Sequence, residues 1–174
     1  MKILLTIGLA AAVALGASSA FAQDKKAEKA STDFIKTAIQ HNYAEIDAGQ
    51  MAQEKGKNPA VKEFGAMMAK DHGEANAKAQ SVASQLNVDP PKSADMMHKA
   101  SSLKLKAMSG DSFDRSYIND MVKDHEADVK KYRQQSAKSD PTGAMAKELL
   151  PVLEKHLAEA KKIQGELKQT TGSR

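Results

Sequence analysis

The sequence predicts an all-α fold built around four long helices, and three observations lead to this class. Aromatic residues make up 4% of the 174 residues, fewer than the half-buried strands of a β-sandwich or barrel favour. Ala, Lys, Glu, Gln and Met are abundant, and apolar residues recur at spacings of three and four. Cysteine is absent, which excludes disulfides, thiol catalysis, cysteine-ligated zinc and iron–sulfur clusters. Any chemistry must therefore use His, Asp, Glu, Met or Tyr.

The first 22 residues have the organisation of a secretory signal peptide. Lys2 precedes an apolar stretch from Ile3 to about Leu15, and small residues then end in Ala20-Phe21-Ala22, an A-x-A cleavage site. The apolar stretch is shorter than the roughly 20 residues that a membrane-spanning helix needs. An uncleaved membrane anchor is the main alternative. We expect cleavage after Ala22, a periplasmic or secreted protein, and no stable membrane insertion afterwards.

Composition and motifs also limit the function. The formal net charge of +4 is spread along the chain without a long basic block, so nucleic-acid binding is not expected. The sequence lacks a nucleophile elbow, a phosphate-binding glycine loop, an HExxH pair and an EF-hand loop. Hydrolytic and nucleotide chemistry are therefore not expected either.

Two long helices open the folded domain. Residues 23–30 are Lys-rich and lack apolar periodicity, so a flexible leader is expected before a domain at 31–168. Apolar residues at helical spacing then predict a first helix over 32–55. Asn58 is a cap residue followed by a helix-starting proline, and this pair predicts a second helix over 59–86.

A connector and a third long helix follow. The proline-containing segment 87–91 breaks the second helix, and a shorter helix is expected near 94–108. Asp111 or Ser112 can cap a third long helix that ends near Lys138. The shorter helix therefore belongs to a connection between the second and third long helices.

The fourth long helix repeats the cap-and-proline start at Asp140-Pro141. It is expected over 141–168 with a kink at Pro151, and the polar residues 169–174 are expected to be disordered. Short turns join the helices within each pair, whereas about 24 residues separate the second long helix from the third. A single long crossover is therefore implied, and this is the ferritin-like arrangement of a four-helix bundle.

Polar residues on the four apolar stripes fall at matching heights. One lies on each long helix, about 12 to 16 residues from the turn of its helix pair: Glu45, His72, His125 and His156. Equal distances from a turn mean equal heights in an antiparallel pair. Imidazoles and a carboxylate that converge inside a bundle can bind one transition-metal ion, such as Zn, Cu, Mn or Fe. Additional ligands, or residues that orient the ligands, are then His41, Asp71, Asp124 and Glu159.

A second interpretation of the histidines needs no ion. Buried histidines are often hydrogen-bonded core residues, and these could satisfy one another and Glu45. Met96-Met97-His98 offers soft ligands that suit Cu(I), but filling a helical core is the more common role of methionine. The residues themselves leave both the metal site and the polar network open.

Three sequence motifs are those of a known family: Met68-Ala69-Lys70-Asp71-His72, Met121-Val122-Lys123-Asp124-His125, and Leu150-Pro151-Val152-Leu153 leading to His156-Leu157. Over roughly 31–166 the chain resembles the exported bacterial ferritin-like proteins of the domain of unknown function (DUF) 4142 family. The resemblance implies a ferritin-like bundle outside the cytoplasm with no established reaction. It also marks five signature positions, which are Glu45, Asp71, His72, His125 and His156.

The same motifs separate the chain from di-iron ferritins. Those proteins supply Glu-x-x-His pairs, whereas the residues three before the three bundle histidines are Ala69, Val122 and Leu153. Ferroxidase activity and iron storage are therefore not expected. A mononuclear histidine-rich site, or no site, fits the sequence better.

These observations lead to one hypothesis with two alternatives. The leading hypothesis is a periplasmic ferritin-like bundle that acts as a non-catalytic binding or stress-associated protein with a His/Glu transition-metal site. The first alternative is a metal-dependent redox enzyme that uses the same ion. The second is a structural bundle that works through protein contacts without metal. The oligomeric state does not follow from the sequence.

Overall fold

The computed structural model describes residues 13–172, with side chains described for 24–169. This part of the chain forms five helices and no strand: α1 (Val13–Lys55), α2 (Pro59–Gln85), α3 (Met96–Lys106), α4 (Gly110–Gln135) and α5 (Pro141–Gly172). The predicted all-α class is confirmed. The first 12 residues of the predicted signal peptide lie outside the described residues. Among the helices of the described residues, none combines the length and apolar character needed to cross a membrane.

The outer ends of the first and last helices differ from the sequence expectation. Residues 24–30 of the flexible leader expected over 23–30 belong to α1 and have exposed side chains, and α1 is described from Val13 onward. Ala, Lys and Glu are good helix formers, and extending an existing helix avoids the cost of nucleation. Apolar periodicity therefore marks where α1 is buried, not where it begins. At the other end, α5 continues to Gly172.

Two of the three predicted helix caps are present in the structure, and the third is not. The Asn58 side chain accepts a hydrogen bond of 2.8 Å from the Ala60 N–H, and Asp140 accepts one of 2.8 Å from the Gly143 N–H. The prediction that Asp111 or Ser112 caps the third long helix is wrong. That helix, α4, already begins at Gly110, whose φ of +58° suits glycine and turns the chain into the helix.

The four long helices pack in a cycle around one core. α1 packs on α2, α2 on α5, α5 on α4, and α4 on α1, while α3 lies against α1 and α4. α2 and α4 are therefore diagonal neighbours. These two helices carry the repeated Met-x-Lys-Asp-His segments, so their histidines approach each other across the core.

A polar layer divides the apolar core into two clusters. One cluster includes Ile39 and Ala75, and the other includes Met68 and Phe113. On α2, Met68 and Ala75 belong to different clusters, and His72 lies between them. Packed hydrophobic side chains therefore lie on both sides of the polar layer that contains His72.

Close contact between α1 and α2 gives a first testable prediction. A Cβ atom on Gly65 would lie 2.6 Å from the Cβ of Ala52 and 2.7 Å from the carbonyl oxygen of Gly49. Gly65→Ala should therefore force the helices apart and lower the free energy of unfolding by about 1–3 kcal/mol in urea denaturation. Gly73→Ala is the matched control on α2, because a Cβ there meets nothing within 4 Å. The control should stabilise the protein slightly, and equal destabilisation by both changes would contradict the prediction.

Candidate metal centre

Three histidines from three helices meet in the polar layer. His72 of α2, His125 of α4 and His156 of α5 are 3%, 0% and 1% exposed. Their ring centroids lie 5.4–5.6 Å apart. One ring nitrogen of each lies within 4.8 Å of the corresponding nitrogens of the other two. We call these residues the three-histidine centre.

Each ring of the three-histidine centre is held from outside by one oxygen atom. His72 Nδ1 lies 2.9 Å from Asn42 Oδ1, and His125 Nδ1 lies 3.0 Å from the carbonyl oxygen of Met121. His156 Nε2 lies 3.0 Å from a carboxylate oxygen of Asp71. These oxygens accept hydrogen bonds, so the ring nitrogen facing each of them carries the proton.

The second nitrogen of each ring has no hydrogen-bond partner. These atoms are His72 Nε2, His125 Nε2 and His156 Nδ1, and all three are buried. Since the partnered nitrogen carries the proton, each free nitrogen presents a lone pair. Buried polar atoms are normally satisfied, so three unpartnered acceptors in one small cluster need an explanation. A cation is a partner that lone pairs of several neighbouring imidazoles can share.

Burial keeps the three-histidine centre in the form that binds metals. Burial, with a contribution from the neighbouring His125 and His156, lowers the pKa of His72 well below its usual value. Burial also lowers the pKa of His125 to about 4. For His156, burial lowers the pKa although the Asp71 carboxylate opposes the shift. All three rings are therefore neutral at pH 7, and no proton has to leave before an ion binds.

Glu45 is not a member of the three-histidine cluster. It is 4% exposed, and its Oε2 atom has no hydrogen-bond partner. Burial raises its pKa well above the usual range, and nearby Asp124, Asp128 and Asp120 raise it further. The Glu45 side chain, which the sequence predicted as a fourth ligand, lines a separate pocket of about 80 Å³ beside α3 and α4.

The other residues singled out from the sequence occupy different environments. Asp71 accepts the hydrogen bond of His156 described above. Asp124 lines the same pocket as Glu45. His41 lies 3.3 Å from the Asp128 carboxylate, outside the three-histidine centre. Glu159 is at the surface and pairs with Lys162 at 3.0 Å.

Sequence reasoning missed three contributors to this region. Asn42 holds His72, the Met121 carbonyl holds His125, and Asp128 holds His41. The Met121 carbonyl lies one turn before its histidine, so no side-chain pattern could mark it. Asn42 and Asp128 are polar residues at positions where the helical stripe is buried, and this is a signal that the sequence does contain.

The fold and the site define an all-helical protein with a buried cluster of three histidines. The chain belongs to the family described as "Domain of unknown function (DUF4142)", which matches residues 16–163, so the resemblance seen in the sequence motifs is confirmed. A solved structure similar to this one is the "Crystal structure of DUF305 fragment from Deinococcus radiodurans". The TM-score is 0.69 at 12% identity, covering 78% of this chain and 95% of that chain. This likeness supports the helical fold alone. Among curated proteins, no match was found.

Proposed function

We propose that this protein is an exported ferritin-like four-helix bundle that binds one transition-metal ion through His72, His125 and His156. The packing cycle of the long helices and the crossover through α3 support the bundle. The signal-like N-terminal sequence supports export. The metal assignment depends on one observation, the three unpartnered ring nitrogens in the buried centre.

The hydrogen-bond pattern favours a metal over a polar network. In a network, the histidines would donate to one another or to Glu45. The described side chains instead hold each ring through an outward bond to Asn42, the Met121 carbonyl or Asp71. This leaves three buried ring nitrogens without a partner, which is unfavourable without a cation and is typical of oriented metal ligands.

The ligand chemistry favours a borderline divalent ion. Three neutral imidazoles suit Zn²⁺ or Cu²⁺, while Mn²⁺ prefers carboxylate and water ligands. Three histidines leave a further coordination position for water or another ligand, as in His₃ zinc sites.

The small space around the centre supports binding over turnover. Two cavities reach the histidines, one lined by His72 and His156 and one by His41 and His72. Each has a volume of about 10 Å³, roughly the space for one water molecule. A substrate larger than water would therefore require the helices to move. We infer that the protein holds or buffers an ion and does not transform a bound substrate.

Elemental analysis of mature protein tests the proposal. Protein recovered from the periplasm of an expression host, without chelator, should have the mass of residues 23–174. After dialysis it should retain about one Zn²⁺ or Cu²⁺ per chain. His125→Leu should lose this ion, since leucine fills similar space without a nitrogen. Leu103→Ala, at an exposed position of α3, is the control that should keep it. Protein that retains no ion after loading with Zn, Cu, Mn and Fe, or a His125→Leu variant that retains one, would overturn the assignment.

A further inference from the structure

A second group of potential metal ligands lies nearer the surface, where α3 crosses α1. The rings of His41 and His98 have centroids 4.4 Å apart. One ligand atom from each of these rings and one from Asp95 all lie within 4.8 Å of one another. All three residues are partly exposed, so water and ions can reach them. We call these residues the outer cluster.

Carboxylates also orient the rings of the outer cluster. His98 Nδ1 lies 2.7 Å from Asp95 Oδ2, and His41 Nδ1 lies 3.3 Å from Asp128 Oδ2. The Nε2 atom of each ring is therefore the nitrogen left for a cation. Two imidazoles with a carboxylate are a common ligand set for divalent transition metals.

The pocket beside the outer cluster is suited to a cation. His98 lines it together with three carboxylates, which belong to Glu45, Asp120 and Asp124. Lys123 also lines this pocket, so its acidic side chains outnumber its lysine by three to one. Glu45 contributes a buried oxygen without a hydrogen-bond partner, which a bound or passing cation would satisfy.

His41 connects the outer cluster to the three-histidine centre. Its ring contacts His98 on one side, and it lines a small cavity together with Asn42 and His72 on the other. We propose that His41, Asp95 and His98 bind a second transition-metal ion near the surface, and that ions pass from this outer site to the three-histidine centre. The first part stands without the inner site, whereas the transfer rests on the proposed function.

Titration of apo mature protein with Co²⁺ tests the binding. Wild-type protein should bind two ions, and the second should bind more weakly because the outer cluster is open to water. His98→Ala should bind one ion, the tight one. Asp95→Asn should weaken the outer site while keeping the cap of α3, since the Asp95 oxygen accepts the N–H groups of Met97 and His98. Leu103→Ala should bind two ions.

Stopped-flow loading of the inner site tests the transfer. A local store of ions raises the rate of capture, so His98→Ala should load the three-histidine centre about tenfold more slowly. The equilibrium affinity of the inner centre should not change. Leu103→Ala should load at the wild-type rate.

The outcomes separate the two proposals. In the titration, His125→Leu should still bind the weak outer ion, which dialysis removes, so the loss of one ion in each of His125→Leu and His98→Ala supports both sites. If the wild-type protein binds a single ion, and this ion is lost in His125→Leu but kept in His98→Ala, the outer site is overturned and the inner site stands. If the wild-type protein binds two ions, but the three-histidine centre loads equally fast in the wild type and in His98→Ala, the transfer is overturned. If only the weak ion binds, and His98→Ala removes it, the inner site and the transfer are overturned.

Discussion

Mature protein saturated with Zn²⁺ should unfold about 10 °C above the same protein in chelator. A ligand that binds only the folded state, at about 1,000 times its Kd, adds about 4 kcal/mol to the free energy of unfolding. In a chain of this size each kcal/mol raises the melting temperature by roughly 2–4 °C. Because the three ligands come from α2, α4 and α5, an ion at this point connects three of the four packed helices. Calorimetry with and without zinc measures the difference.

Two variants separate the ligands from the residues that orient them. His125→Leu should remove most of the zinc-dependent increase and leave only the smaller part due to the outer cluster. Asp71→Asn should reduce zinc affinity about 10- to 100-fold by weakening the acceptor for His156 Nε2. Glu74→Gln is the charge-matched control for Asp71→Asn, because Glu74 lies on α2 in a surface pair with Lys70. A full zinc shift in His125→Leu, or equal losses in the Asp71 and Glu74 variants, would contradict the assignment.

Helix order was predictable from the sequence because it depends on local signals. Asn58 and Asp140 form the expected caps, and α2 and α5 begin at the prolines that follow them. The beginnings of α1 and α4 were not predictable in the same way. Helix propensity without burial extends α1 through residues 24–30, and the positive φ of Gly110 begins α4 before its acidic residue.

The sequence predicted that the three histidines lie at one level of the bundle, but not which other side chains contact them. Counting from the turns aligned the three histidines, and their rings do meet. On α1 the same count placed Glu45 about three residues nearer the turn than His72, which is about 4.5 Å along a helix. Asn42 lies at the height of His72, and it is Asn42 that bonds to this ring. The direction of a side chain, and which of two residues one turn apart faces a neighbour, depend on how each helix is rotated about its axis. The spacing of apolar residues does not determine this rotation.

Without metal, the protein should lose stability on mild acidification. The folded pKa values of His72, His125 and His156 are lowered from the usual 6.5 by burial, that of His125 to about 4. Below pH 6.5 the unfolded chain therefore binds up to three protons that the folded centre does not bind. Stability contributed by the neutral rings is present above pH 6.5 and is lost as the pH falls toward 4.

Glu45 acts in the opposite direction and reduces the slope. Its pKa is raised by burial, so above about pH 4.5 the folded protein holds a proton that the unfolded chain has released. Near pH 5–6 the unfolded chain then binds up to about two more protons than the folded protein. Each proton corresponds to about 1.4 kcal/mol per pH unit, so the free energy of unfolding should fall by up to about 2.7 kcal/mol per unit on acidification. Asp120 and Asp124, whose pKa values burial also raises, reduce the slope further at the acidic end.

Urea denaturation in chelator between pH 5 and 7.5 measures this slope. His125→Leu should decrease it by about one proton, or roughly 1.4 kcal/mol per pH unit, because one buried titrating ring is gone. Leu103→Ala, which changes an exposed side chain of α3 that does not titrate, is the control and should keep the wild-type slope. A flat profile in the wild type would mean that the rings are not neutral and buried together, and three neutral rings with free lone pairs are what the metal assignment requires.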